Sequence, residues 1–146
     1  MSKDLDPLKE IVEIARDGEK FYRDAELSVS APSLKPLFAR MALAKQELVS
    51  SLSQKIAASG ETPPQSGTLA GAVRKIYTDV AAKLSSKDTE IFVDQLEETE
   101  DRLLDHVQKA AAEATDPSVR LILQAYLPKV RACHDEMRTL KRRLAA

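Results

Sequence analysis

Four stretches of this chain repeat apolar residues every three or four positions, the period of one face of an α-helix. Leu8, Ile11, Val12, Ala15, Tyr22 and Ala25 carry the first stripe, and Leu34, Phe38, Met41, Leu48, Leu52 and Ile56 the second. Phe92, Val93, Leu96, Leu103 and Val107 carry the third. The fourth is a regular seam of Tyr126, Val130, Cys133, Met137, Leu140 and Leu144. A helix with one apolar stripe must bury it against a neighbour, so the four together predict a helical bundle. The first helix is expected from Pro7 to Val29. Pro32 is expected in the first turn of the second helix, where a missing N–H costs nothing. Gly60 stands where a helix ends, and Asp116-Pro117 where the fourth begins.

Connection lengths constrain the topology further. Short breaks after Ser28 and Thr115 make helices one and two antiparallel, and likewise three and four. The linker over 60–87 is much longer. It opens with Glu61-Thr62-Pro63-Pro64 and then carries an amphipathic stretch with Leu69, Val73, Ile76, Val80 and Leu84. Such a linker can travel back along the bundle and leave helices two and three parallel. One long crossover between two helical hairpins is the ferritin-like connectivity. The expected fold is therefore all-α: one domain over 1–146, an antiparallel four-helix bundle with an extra amphipathic helix in the crossover. A plain up-down bundle with an irregular long loop is the rival. A weak internal repeat supports two hairpins. Ala31-Pro32-Ser33-Leu34-Lys35 resembles Asp116-Pro117-Ser118-Val119-Arg120, and Ile11, Val12, Ala15 and Glu19 pair with Phe92, Val93, Leu96 and Glu100.

Composition excludes several classes of function. Of 146 residues, 22 are Lys or Arg and 23 are Asp or Glu, a formal net charge of -1. That balance argues against nucleic acid and anionic membrane as main partners. No apolar run reaches the roughly 18–20 residues needed to span a bilayer, and the first residues show no secretory leader. Cys133 is the only cysteine, so no internal disulfide forms. A cytoplasmic protein is expected.

The residues with chemical interest are polar groups on the apolar stripes. Glu19 and Glu100 sit near the middles of helices one and three, and Glu47 and His134 near those of helices two and four. One carboxylate from each of two helices is half of a di-iron carboxylate site. The other half, Glu-x-x-His on each remaining helix, is missing. Arg131 stands three before His134, Leu103 three before His106, and helix two has no histidine. What is left is a mononuclear set, Glu19, Glu100 and His134, for a divalent ion such as Fe, Mn or Zn. The competing reading is a satisfied core network. In it Lys45, between Met41 and Leu48, neutralises Glu19 or Glu100, and Tyr22 and Tyr126 donate hydrogen bonds. His106 reads as a boundary residue. The acidic run Glu97–Asp101 reads mostly as a solvated helix face. Cys133 and His134 are neighbours on a helix, point about 100° apart and form no nucleophile–base pair. Pro128 predicts a kink in the fourth helix. The basic run from Arg138 to Arg143 complements the helix dipole.

Three short motifs carry a family resemblance: Arg16-Asp17-Gly18-Glu19, Leu34-Lys35-Pro36-Leu37-Phe38 and His134-Asp135. Together they are similar to an uncharacterised bacterial four-helix-bundle family of the ferritin-like superfamily, over about Leu8 to Arg143. The resemblance implies a ferritin-like fold and no established reaction. By analogy with ferritins and rubrerythrins, it matches Glu19 and Glu100 to the single carboxylates of helices one and three. The expected function is a non-enzymatic stress-related or interaction protein, self-associating through helix faces and needing no cofactor. The alternative is a degenerate metal-binding ferritin-like domain.

Overall fold

Each periodic stretch forms a helix in the computed structural model, which describes residues 2–29, 31–67 and 86–145. They are α1 (Ser2–Ser28), α2 (Leu34–Ala58), α3 (Ser86–Glu113) and α4 (Pro117–Ala145). No strand occurs among the described residues. The expected amphipathic helix over Leu69–Leu84 lies outside them.

Local chemistry explains most boundaries, and the structure corrects two. α1 begins at Ser2, a turn before the expected start, with Pro7 inside it. Leu5 and Leu8 are buried and Asp4 is anchored to the far hairpin, so packing holds the first turn despite the lost backbone bond. α2 begins after Pro32, with Ser33 at its N-cap, so Pro32 sits in the preceding turn. At the other end of α2, Gly60 adopts φ 86°. Its N–H donates to Ala57 O (3.0 Å) and that of Glu61 to Ile56 O (3.2 Å), the Schellman arrangement that favours glycine. Asp116 caps α4 as expected, accepting from Ser118 N (2.9 Å) and Ser118 Oγ (2.8 Å). α4 stays helical through Pro128.

The cross-links fix the directions. Asp4 at the start of α1 meets Thr115 and Asp116 beyond the end of α3, so these helices are antiparallel. Arg40 early in α2 forks onto Glu136 late in α4, with Nη1–Oε2 at 3.0 Å and Nη2–Oε1 at 2.6 Å. Lys55 and Asp116 lie 3.8 Å apart, so α2 and α3 end at the same pole and run parallel across the diagonal. The linker climbs back along α1: Glu61 pairs with Lys9, Pro64 O accepts from Arg16 Nε (2.8 Å), and Gly67 lies against Asp17. This is the crossover connectivity, and it rules out the simple up-down bundle. α1 packs broadly on α2 and α3, and α3 on α4, while α2 and α4 touch the least of the adjacent pairs.

The apolar interior comes in two parts. One holds Leu8, Ile11, Leu52, Leu103, Leu123 and Val130; the other holds Tyr22, Phe38, Met41, Phe92, Leu96 and Met137. Between them, at mid-bundle, lies a polar layer.

Asp4 supplies a test of how the hairpins are joined. The N–H groups of Asp116 (2.7 Å) and Thr115 (3.1 Å) donate to its carboxylate. They hold its pKa below the ordinary 3.8, Asp116 contributing most. A depressed carboxylate stabilises the fold above its unfolded pKa and loses that effect as pH falls through the folded value. Asp4→Ala is expected to lower Tm at neutral pH. The gap to wild type should close on acidification below 3.8, as followed by circular dichroism.

Candidate functional site

The polar layer is built around Glu100, on the inward face of α3 and 0% exposed. Lys45 of α2, 2% exposed, places Nζ 2.9 Å from Glu100 Oε2. Tyr22 of α1 donates its hydroxyl to the same oxygen at 2.5 Å. The ammonium also lies 5.6 Å from the centroid of the Tyr22 ring, in reach of a cation–π interaction. Gly18 packs beside the lysine stem, where a Cβ would meet Lys45 Cγ and Cδ at 3.5 Å, an ordinary van der Waals contact. Glu100 Oε1 has no hydrogen-bond partner among the described residues. The core-network expectation for Lys45 and Tyr22 therefore holds at Glu100. Tyr126 instead shares a hydrogen bond with Ser51 Oγ at 2.6 Å.

A second polar group lies on the seam between α3 and α4. His134 is buried, with Nε2 hydrogen-bonded to Asp101 and Nδ1 3.0 Å from Asp135 Oδ1. Glu97 lies one turn before Asp101. Ligand atoms of Glu97, Asp101 and His134 all fall within 4.8 Å of one another. Lys141 stands guard at the edge, 3.4 Å from Glu97 Oε2 and 3.9 Å from Asp94 Oδ1. Burial is the largest influence on His134 and pulls its pKa down. The bonds to Asp135 and Asp101 together outweigh it, so the net shift is upward from 6.5.

The three residues singled out from sequence, Glu19, Glu100 and His134, thus lie in three settings. Glu100 is in the core and His134 is on the seam. Glu19 is half-buried on the rim of a surface hollow, beside Arg16, Lys20 and Arg23. The internal repeat explains the difference. Glu19 and Glu100 are mates, but the mate of Lys45 is Val130. A carboxylate turned inward from α1 would meet valine where Glu100 meets an ammonium. An unpaired buried charge is costly, so Glu19 sits nearer the surface. Glu97 and Asp101 escaped the sequence reading as site residues. Their spacing of four puts both on one face of α3, yet only the α3–α4 register shows that His134 faces them. His106, read as a boundary residue, is partly exposed, 3.7 Å from Glu10 Oε2.

A model for a domain of unknown function, DUF2383, matches residues 3–113. The chain belongs to the DUF2383 family. The matched region spans α1 to α3 and stops short of His134. A crystal structure of ferritin-like, diiron-carboxylate proteins from Bacillus anthracis str. Ames superposes with a TM-score of 0.77. The two share 16% sequence identity over 96% of each chain. At that identity the likeness establishes the ferritin-like fold. A search of curated proteins finds no match. Among the described residues of this DUF2383 domain no helix is long and apolar enough to cross a membrane.

A di-iron centre at mid-bundle does not fit these residues. The inward carboxylate already holds an ammonium, and neither α2 nor α4 presents Glu-x-x-His.

Two measurements follow from the seam and its neighbour. A histidine with a raised pKa stabilises the fold fully below its unfolded value of 6.5 and loses that effect as pH rises through the folded value. The Tm difference between wild type and His134→Gln is expected to be widest on the acid side and to narrow toward alkaline pH. Cys133 has its thiol pushed up, chiefly by burial. Its alkylation at neutral pH should run well below the rate of an exposed cysteine and rise to it on unfolding, as read by thiol titration.

Proposed function

We propose that this DUF2383 domain is a non-enzymatic ferritin-like bundle with one ligand, an exchangeable divalent cation on the α3–α4 seam. The observation that carries the reading is the convergence of Glu97, Asp101 and His134 from two facing helices. One imidazole nitrogen and two carboxylate oxygens form a borderline donor set, suited to Zn(II), Mn(II) or Fe(II). Three protein donors leave coordination positions for water. Asp135 at Nδ1 selects the tautomer that offers Nε2 outward to the ion, the usual role of an outer carboxylate. This is a set for one ion rather than two.

The same residues predict how the site responds to pH. The ion must displace the proton that His134 shares with Asp101, so affinity rises with pH. It must also displace the Lys141 ammonium from Glu97. A ligand-free structural or interaction protein is the second reading. What favours it is the state of the seam itself, already neutralised internally by His134 and Lys141.

Calorimetric titration with Zn(II) and Mn(II), with elemental analysis of the purified protein, separates the two. On the first reading one equivalent binds, Tm rises with metal concentration, and binding tightens from pH 6 to 8. His134→Ala and Asp101→Asn abolish it, and Glu19→Ala leaves it intact. Lys141→Ala tightens it about threefold, the scale of an exposed ion pair. No heat, no bound metal and no Tm change at either pH would leave the structural reading standing.

A further inference from the structure

We propose that Lys45 is the resident cation of the bundle core, seated where a carboxylate bundle of this architecture holds metal, and that it closes the mid-core to divalent ions. Inward carboxylates at mid-bundle are the element of such a centre that this chain retains, in Glu100. The other helices bring different groups to this level. α2 brings Lys45, and α4 brings Val130 and Cys133, which line one crevice with Lys45 and Leu103. His134, one residue on, is committed to the seam through Asp101 and Asp135.

Four observations make Lys45 a built-in ion rather than a lysine that happens to be buried. Its Nζ approaches Glu100 Oε2 at the distance of a charge-assisted hydrogen bond, 2.9 Å. Tyr22 reinforces that oxygen and offers its ring face to the ammonium. Gly18 packs beside the stem, where a Cβ would meet Lys45 Cγ and Cδ at 3.5 Å, so the stem is held in close contact with α1. The two apolar clusters part at this level, so the sequence reserves a layer of the core for the charge pair. A divalent ion at Glu100 Oε2 would lie within a few ångströms of the ammonium, in a medium that screens poorly. Either the lysine leaves or the metal does. Glu100 Oε1, buried and without a partner among the described residues, shows how far this layer leans on the single ammonium.

The inference does not rest on the seam site, so the test is run in an Asp101→Asn background that silences the seam. With Lys45 present, EDTA, Zn(II) and Mn(II) are expected to move Tm by less than about 1 °C, since no native-state site remains. Lys45→Ala is expected to lower Tm by about 10 °C, because a buried carboxylate loses its partner. Propylammonium, the fragment that truncation removes, should recover part of that loss, and sodium chloride at equal strength should not. If Lys45→Ala does not fold, Lys45→Met replaces it, compared with Lys45→Met/Glu100→Gln. Removing the orphaned charge should then return at least about half of the lost Tm. Equal instability of the single and double variants would make Lys45 a packing residue and overturn the proposal. So would stoichiometric metal in the Asp101→Asn protein that disappears when Glu100→Gln is added.

Discussion

One ion pair in the middle of the interior, Lys45 with Glu100, governs the rest of this bundle. It joins α2 to α3 across the diagonal, where side chains must reach through the core to meet. Both charges have left water, at a cost of several kcal/mol per ion, and each is tolerable only because the other is in place. Removing either partner alone typically costs about 3–5 kcal/mol, comparable with truncating a buried leucine. The forked Arg40–Glu136 pair has better geometry but is exposed, and such pairs contribute about 0–1 kcal/mol. Burial, more than geometry, makes the core pair decisive. A slip of α2 against α3 by one turn would leave two uncompensated charges, so the pair also selects the register in which the apolar stripes mesh.

From that constraint follows a division of labour between two faces of α3. Glu100 points to α1 and α2 and is spent on structure. Glu97 and Asp101 point to α4 and meet His134 where Asp101 reaches the surface. The weak two-hairpin repeat puts Glu19 and Glu100 at matching positions. Its symmetry breaks where Lys45 has Val130 as its counterpart. One of the two paired glutamates is thus drawn inward and the other left half-buried near the surface. The ferritin-like architecture is kept, and an internal salt bridge occupies its centre.

The poles of the bundle show the same economy of local means. Asp4 gathers the unpaired N–H groups that follow α3, and Asp116 caps the helix that begins there. Arg120 Nη2 donates to Ala114 O at 2.6 Å in the same turn. These contacts tie the start of the first hairpin to the bend of the second, and they explain why α1 begins before Pro7. Packing and a carboxylate anchor outweigh the one backbone bond that proline removes.

Much of this was legible in the residues alone. Periodicity of three and four sets the helices, Gly60 and Asp116 mark their ends, and unequal connections set the crossover, because all of these are local properties of the chain. The pairing of Lys45 with a central glutamate was legible as a choice between two partners. Only the tertiary structure decided for Glu100, since the choice depends on which residue faces the lysine across the diagonal. The seam site needed the structure entirely. Glu97 and Asp101 look like solvated helix surface until the α3–α4 register brings His134 against them, and register between helices is settled by the packing of whole faces. Helix positions are therefore written in the chain, whereas the meeting of side chains from different helices is decided by how the interior fills and where the buried Lys45 finds its partner.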